Sequence, residues 1–272
     1  MHDPYSNQSR TPGGRTVEFA ARVGYLAKGF LYLGVGALAG MAALGKAEGE
    51  TTGVKGVLEE LAKHPFGTIA LILVAIGLAG HVIWRLYQAI ADPADKGDDA
   101  KGLLMRSGFA VSGLVYASVA LFALRASLGE ATGGSDNTSA QTATLMSKPG
   151  GVWLVGIVGA IVIGVGLYQL WRAWRASFEN KWVHMSFDTQ RWATRLSRFG
   201  IAARAIVFLM TGTFLILAAW RHDPSQAKGL GGALSELASQ PYGRYLLGAA
   251  ALGLLCYGIY CAANARYRRL QT

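Results

Sequence analysis

Apolar positions along this chain fall into six long blocks separated by short polar stretches. The blocks cover residues 23–44, 66–90, 107–128, 151–175, 199–221 and 242–265. None holds an internal proline, and none carries Asp or Glu near its middle. A hydrocarbon core about 30 Å thick is crossed by roughly 20 residues of helix, so each block predicts one membrane-spanning α-helix. The two-residue alternation that a transmembrane barrel needs is missing, and a helix satisfies its own backbone groups in lipid. The expected fold class is an all-α polytopic membrane protein with six transmembrane helices.

The six blocks are three copies of one pair. Arg22, Arg106 and Arg198 each stand two residues before a glycine and ten before Tyr32, Tyr116 or Phe208. Pro65, Pro149 and Pro241 each follow their arginine by 43 residues, and Gly67, Gly151 and Gly243 lie two further on. Trp84, Tyr168 and Tyr260 come nineteen residues after each proline, and Ala89, Ala173 and Ala265 five later. Equal spacing through a loop and two helices marks an internal repeat. Before each proline runs a short segment: "GVLEELAKHPFG", "TATLMSKPGG" and "GALSELASQPYG". Leu58 and Leu61, and later Leu234 and Leu237, give it a narrow apolar face suited to the membrane surface. The proline is expected to open the second span, where its missing N–H costs nothing.

The organisation expected from this pattern begins with a flexible tail over 1–21. Repeats I, II and III occupy 22–93, 106–176 and 198–269, and an amphipathic connector rich in Trp and Arg fills 177–197. An even number of spans per copy keeps the copies the same way up. Parallel repeats relate by an axis along the membrane normal, so three parallel two-helix repeats with pseudo-threefold symmetry are expected.

Composition agrees with this picture and adds orientation. The 272 residues are 52% hydrophobic and only 15% charged, against about 25% charged in an ordinary soluble domain. The net charge of +10 is unevenly spread. Outside the spans, fifteen Lys and Arg lie on the side of the chain ends and eight on the other. That bias places both termini in the cytoplasm and the protein in the inner membrane. The first twenty residues lack the apolar core of a signal peptide. The connector region mixes Trp171, Trp174, Trp182 and Trp192 with cations. It reads as an interfacial segment gripping anionic lipid headgroups rather than as a single-strand nucleic-acid surface; a membrane-protein partner docking there stays open.

Candidate chemistry is sparse. Lys28, Ser112 and Arg204 share one repeat position, six residues after the leading arginine and about 9 Å along the helix from it. Either the cations snorkel to the headgroups, or they face the interior and bind a small anion or lipid phosphate. Arg85 reaches a similar depth from the other end of its hairpin, and its repeat counterparts are Gln169 and Cys261. Lys28, Arg85, Arg204, Ser112 and Gln169 are therefore the anion-binding candidates. His81, Gln88, Tyr168, Tyr257, Tyr260 and Asn264 cluster on the second helices. They would line a polar cleft, or supply interhelical hydrogen bonds and an aromatic belt. Small-residue pairs such as Gly36–Gly40, Gly156–Ala160–Gly164 and Ala249–Gly253 allow close helix approach.

No HExxH, GxSxG, Walker or GxGxxG pattern is present, so no enzymatic activity is expected. Glu60 and His64 share a helix face, but two residues do not make a metal site; no metal or cofactor is expected. Cys256 and Cys261 are five apart, which turns them about 140° from each other on a helix, so they read as packing residues.

The stretches "RVGYLAKGFLYLGVG", "LAKHPFG" and "WRLYQAIADP", with "RFGIAARAIVF" and "LSELASQPYG" in the third copy, resemble a bacterial membrane family catalogued as domain of unknown function 1206. The middle copy departs most, with Ser112 in place of the cation and "LMSKPGG" without an acidic residue. The resemblance covers Arg22 to Arg269 and implies three tandem two-helix units in a membrane. It supplies no activity. The expected role is a passive conduit or binding protein for a small anion or lipid headgroup in a central cavity, or else a non-enzymatic scaffold subunit of a membrane complex.

Overall fold

The computed structural model describes residues 12–46, 51–93, 95–130, 138–176, 182 and 185–268. Its order is one motif three times: long helix, short helix, long helix. Repeat I holds α1 (Pro12–Ala43), α2 (Val54–Ala62) and α3 (Gly67–Ile90). Repeat II holds α4 (Ala100–Ser127), α5 (Thr138–Met146) and α6 (Gly151–Arg175). Repeat III holds α7 (Phe187–Arg221), α8 (Leu230–Ser239) and α9 (Gly243–Tyr267), with a 3-10 turn at Pro224–Gln226 after α7. All six long helices are long and apolar enough to cross a bilayer.

Their outward faces are apolar along their length, as at Leu26, Phe30 and Leu33 on α1 and Ile69, Leu73 and Ile76 on α3. A belt of that extent belongs in lipid rather than water. Exposed aromatics gather at its two ends: Phe66, Trp153, Trp220, Tyr242 and Tyr245 toward the short helices, and Phe19, Trp174 and Trp192 toward the chain termini. Two such girdles mark the interfaces of a bilayer. The protein is a multi-pass membrane protein.

The three hairpins are arranged around a common centre. The last helix of each repeat packs along the first helix of the next: α3 on α4, α6 on α7, and α9 back on α1. The repeat arginines fasten those seams. Arg106 donates to the carbonyls of Ala89 (2.9 Å) and Ile90 (3.1 Å) at the end of α3. Arg198 donates to Ala173 and Trp174 at the end of α6, both at 3.0 Å. Arg22 donates to Ala265 (2.6 Å) and Arg266 (2.9 Å) at the end of α9. A helix leaves its last carbonyls without intrahelical donors, and a cation there also meets the negative end of the helix dipole. The arginine that opens each repeat and the alanine that closes it are thus the two halves of one inter-repeat clasp.

The Pro-x-Gly turn has an equally local cause. A Cβ on Gly67 would lie 2.0 Å from the carbonyl oxygen of Leu61, one on Gly151 would lie 1.8 Å from that of Leu145, and one on Gly243 would lie 2.1 Å from that of Ala238. Only glycine fits where the short helix folds back onto the second span. The spans begin at these glycines, two residues after the proline position expected to start them; the prolines sit in the turn.

Two further boundaries differ from expectation. Residues 12–21, expected to be part of a flexible tail, are the first turns of α1, because the apolar stripe continues upstream. Ala21 is fully buried, and Glu18 pairs with Arg22 one turn on (2.8 Å). Residues 1–11 lie outside the described residues. The second half of the expected connector, from Phe187, is continuous with span α7, and Thr194 and Ser197 on it are buried. Residues 177–181, 183 and 184 lie outside the described residues. Trp182 forms an isolated antiparallel bridge with Arg268.

Repeat II breaks the symmetry. Within repeats I and III the two long helices pack together, but α4 and α6 make no extended contact. Gly24 on α1 lies so close to His81 that a Cβ would meet it at 2.6 Å, and Gly200 on α7 lies as close to Tyr257 (2.4 Å). The equivalent Gly108 on α4 faces open space, as does Gly164 on α6. The ring therefore runs α4–α3–α1–α9–α7–α6 and stays open between its two ends.

Candidate functional site

The polar residues of the six spans meet inside the ring, toward the end that carries the chain termini. Arg204 on α7 is 8% exposed and Lys28 on α1 is 6% exposed. Both point inward; neither reaches the headgroup level on its own helix. Arg204 donates through Nε to the Tyr32 hydroxyl (2.8 Å) and through Nη1 to Gln169 Oε1 (2.5 Å). Its guanidinium lies 4.1 Å from the ring centre of Phe208 and 4.8 Å from that of Tyr257. The Lys28 ammonium lies over Tyr116 (4.9 Å) and over the same Tyr257 ring (5.6 Å). Aromatic faces attract cations and give a desolvated charge about 2 kcal/mol. Rings alone do not neutralise it.

These contacts obey the pseudo-threefold axis. The cation of repeat III reaches Tyr32 of repeat I, and the cation of repeat I reaches Tyr116 of repeat II. Ser112 and Phe208 hold the third pair of positions, where neither charge nor hydroxyl–ring contact is present. The missing charge is replaced from the other helix. Across each seam the Lys28-type position of one repeat faces the Arg85-type position of the one before. Gly29 and Cys261 are nearly in contact across α1/α9 (Cβ to Cβ 3.2 Å for a Cβ built on Gly29), and Gly113 and Arg85 across α4/α3 (3.4 Å). Arg204 binds Gln169 across α7/α6. So Lys28 stands with Cys261, Arg85 with Ser112, and Arg204 with Gln169. At these paired positions each seam has one cation.

The surrounding shell is aromatic and amide. Arg85 is half-buried, donates to Gln88 Oε1 (3.0 Å) and lies over Phe109 (5.5 Å). His81 is fully buried between the edges of Tyr25 and Tyr116 (5.4 and 4.7 Å), and neither ring nitrogen has a hydrogen-bond partner. The expectation that it is hydrogen-bonded is therefore not met; ring-edge packing takes the place of a polar partner. Tyr32 and Tyr257 meet edge to face at 4.7 Å. Asn264 donates to the Tyr260 carbonyl one turn back (2.7 Å).

Of the residues singled out from the sequence, Lys28, Arg85, Arg204, Gln169, His81, Gln88, Tyr257, Tyr260 and Asn264 gather here, and Ser112 is half-buried beside them. Tyr168 does not join them. It is 55% exposed and stacks on Trp171 (6.0 Å). Its counterparts Trp84 and Tyr260 are buried because their hairpins are closed, and the α4–α6 hairpin is not. Sequence reasoning missed Tyr32 and Tyr116 as site residues, although both mark the repeat. It also missed Arg172, which donates to the Tyr260 hydroxyl (2.5 Å), and Arg268, which donates to that of Tyr25.

Among the described residues, no carboxylate enters this cluster. The ion pairs among the described residues, Arg22–Glu18, Lys63–Glu60, Arg106–Asp98, Arg125–Glu130 and Lys228–Glu236, all sit at helix ends or in surface segments. Among the described residues, no group of three His, Cys, Asp or Glu converges as metal ligands would, and Cys256 and Cys261 are free thiols.

The family described as Domain of Unknown Function (DUF1206) matches this chain three times in tandem, at residues 23–92, 107–176 and 199–268. The chain belongs to that family. It is also similar to the uncharacterized protein YxxB of Bacillus subtilis (strain 168), at 36% identity over 279 residues, covering 99% of this chain and 98% of that relative. No solved structure matches it.

Proposed function

We propose that this DUF1206 protein is a non-enzymatic protein of the plasma membrane that binds a small oxyanion or a phosphate-bearing lipid headgroup at the three-cation ring. One observation carries the reading: Lys28 and Arg204 are buried at membrane depth, with aromatic rings and amides around them and no carboxylate among the described residues. A charge buried in the bilayer region costs several kcal/mol unless paired, and the described residues supply no anion there. Arg204 also offers a guanidinium fork, the geometry suited to phosphate oxygens. The Lys/Arg bias argues that the terminal face is cytoplasmic, so the ligand comes from the cytoplasm or the inner leaflet. Passage of the anion across the membrane is the extension of the same reading.

The test uses the full chain in nanodiscs of zwitterionic lipid, titrated with inorganic phosphate and, separately, with phosphatidylglycerol. Either ligand should raise the melting temperature of the wild type, and Lys28→Gln/Arg204→Gln should erase the shift. A wild type indifferent to both ligands, or a double variant that responds equally, contradicts the proposal. A scaffold role has its own support in the unpaired inner faces of α4 and α6, which a partner's helix would fill; co-purification of a stoichiometric membrane partner under mild extraction would favour it.

A further inference from the structure

The open side of the ring and the cation cluster lie back to back. Gly108, Gly164, Val165 and Tyr168 occupy repeat positions that face the hairpin partner. In repeats I and III those positions are closed. His81 and Tyr257, which correspond to Val165, are 0% and 5% exposed, while Val165 is 41% exposed. Trp84 and Tyr260, which correspond to Tyr168, are 2% and 4% exposed, against 55%. Both flanks of the gap reach the cations directly: α4 brings Tyr116 under Lys28, and α6 brings Gln169 to Arg204. The buried amide nitrogen of Gln169 has no partner.

We propose that the α4/α6 gap is a lateral portal, through which an anionic phospholipid of the bilayer sets its phosphate against Lys28 and Arg204. This rests on the anion-binding reading and commits it to a lipid source. In a bilayer a gap between two spans is filled from the side. The spans that border it are the least buried of the six, and apolar residues are exposed there at positions that are buried in the other repeats: Val115 on α4, which corresponds to Leu31 and Val207, and Ile161 on α6, which corresponds to Gly77 and Gly253. An acyl chain fits that lining. A headgroup entering with it meets cations that no described residue neutralises.

The test reconstitutes the full chain in phosphatidylcholine vesicles that contain a photoactivatable phosphatidylglycerol, and maps the adducts by peptide mass. Adducts should concentrate on α4 and α6 beside Ser112 and Tyr168. Replacing the probe by its phosphatidylcholine analogue, or introducing Lys28→Gln/Arg204→Gln, should lower them about tenfold, the equivalent of about 1.4 kcal/mol of headgroup preference. Gly164→Phe is the second variant, since it fills open space and leaves the cations in place. It should abolish the adducts and leave the thermal shift with inorganic phosphate intact. Adducts spread evenly over the outer helix faces, or adducts on α4 and α6 indifferent to both variants, overturn the portal. So does a protein helix cross-linked into the gap. Phosphate binding without seam-dependent adducts would remove the portal and keep the anion site; no response to either ligand would remove both.

Discussion

Replacing Arg22 by alanine tests whether the ring is held shut between its first and last repeats. Arg22 reaches across 243 residues of sequence to Ala265 and across 244 to Arg266. A hydrogen bond to a charged donor contributes about 1.5–3 kcal/mol when both groups are shielded. Arg22 is 34% exposed, and the freed carbonyls can turn to water, so the pair of bonds should be discounted to about 2 kcal/mol in total. Its ion pair with Glu18, an i,i+4 contact, adds about 0.3–0.5 kcal/mol. Arg106→Ala removes the equivalent clasp on α3, and its pair with the exposed Asp98 contributes about as little. The structure thus predicts that Arg22→Ala, Arg106→Ala and Arg198→Ala each destabilise by a similar amount, about 2 kcal/mol. Lysine at any of the three should recover only part of the loss, because its ammonium keeps the charge and donors but lacks the planar, preorganised guanidinium. Unfolding in mixed micelles of increasing denaturing-detergent fraction, followed by tryptophan fluorescence and circular dichroism, gives the comparison. If Arg22→Ala leaves the midpoint unchanged while the other two lower it, the α9/α1 seam is not energetically closed and the cyclic arrangement is wrong.

Other outcomes follow from single contacts. Gly67→Ala drives a methyl into the Leu61 carbonyl and should cost about 3 kcal/mol or block folding, whereas Gly108→Ala, facing open space within a helix, should be neutral or stabilise by up to about 1 kcal/mol; thermal melts of the two variants compare them directly. Tyr32→Phe removes the acceptor for Arg204 Nε and should destabilise by about 1–2 kcal/mol, with no loss in an Arg204→Gln background, so that the double-mutant cycle returns a coupling of about 1–2 kcal/mol; a coupling near zero would contradict the contact. On the short-helix face, the hydrogen bond and charge of Lys228 hold the Glu236 carboxyl below its ordinary value of 4.5. A group whose folded-state value is depressed contributes stability above its unfolded value and loses it as pH falls through the folded one. Acid titration should therefore show the wild type losing this contribution below about pH 4.5, and Glu236→Gln should flatten that part of the profile.

Most of the fold was legible because its repeats are written at fixed spacing. The arginine, the Pro-x-Gly turn and the closing alanine could all be aligned by counting, and each has a local physical cause in the ring. What counting could not show is which repeat positions meet. The Lys28–Ser112–Arg204 set and the Arg85–Gln169–Cys261 set were each visible along the chain. Their pairing across seams, which leaves one cation in each, depends on the last helix of one repeat packing on the first of the next. Snorkelling and inward burial of Lys28 and Arg204 were equally compatible with the sequence, since depth along a helix does not fix direction around it. Tyr32 and Tyr116 passed as repeat markers for the same reason. The splayed middle hairpin left only faint traces, because Gly108 and Gly164 still look like packing residues. The start of α1 at Pro12 was obscured by the polar composition of the preceding segment, although Val17 and Ala21, one turn apart, continue the apolar face.

The arrangement of three hairpins around one cationic centre has a direct cross-linking test. A Cβ built on Gly29 lies 3.2 Å from Cβ of Cys261, close to the separation of about 3.5–4.5 Å that a disulfide spans, and these residues belong to the first and last helices. In a Cys256→Ala background, Gly29→Cys should oxidise to an intramolecular bond with Cys261, leaving no thiol open to alkylation in the unfolded chain unless it is first reduced. Two freely alkylated cysteines after oxidation would mean that α1 and α9 do not meet, and the ring with its inward cations would have to be abandoned.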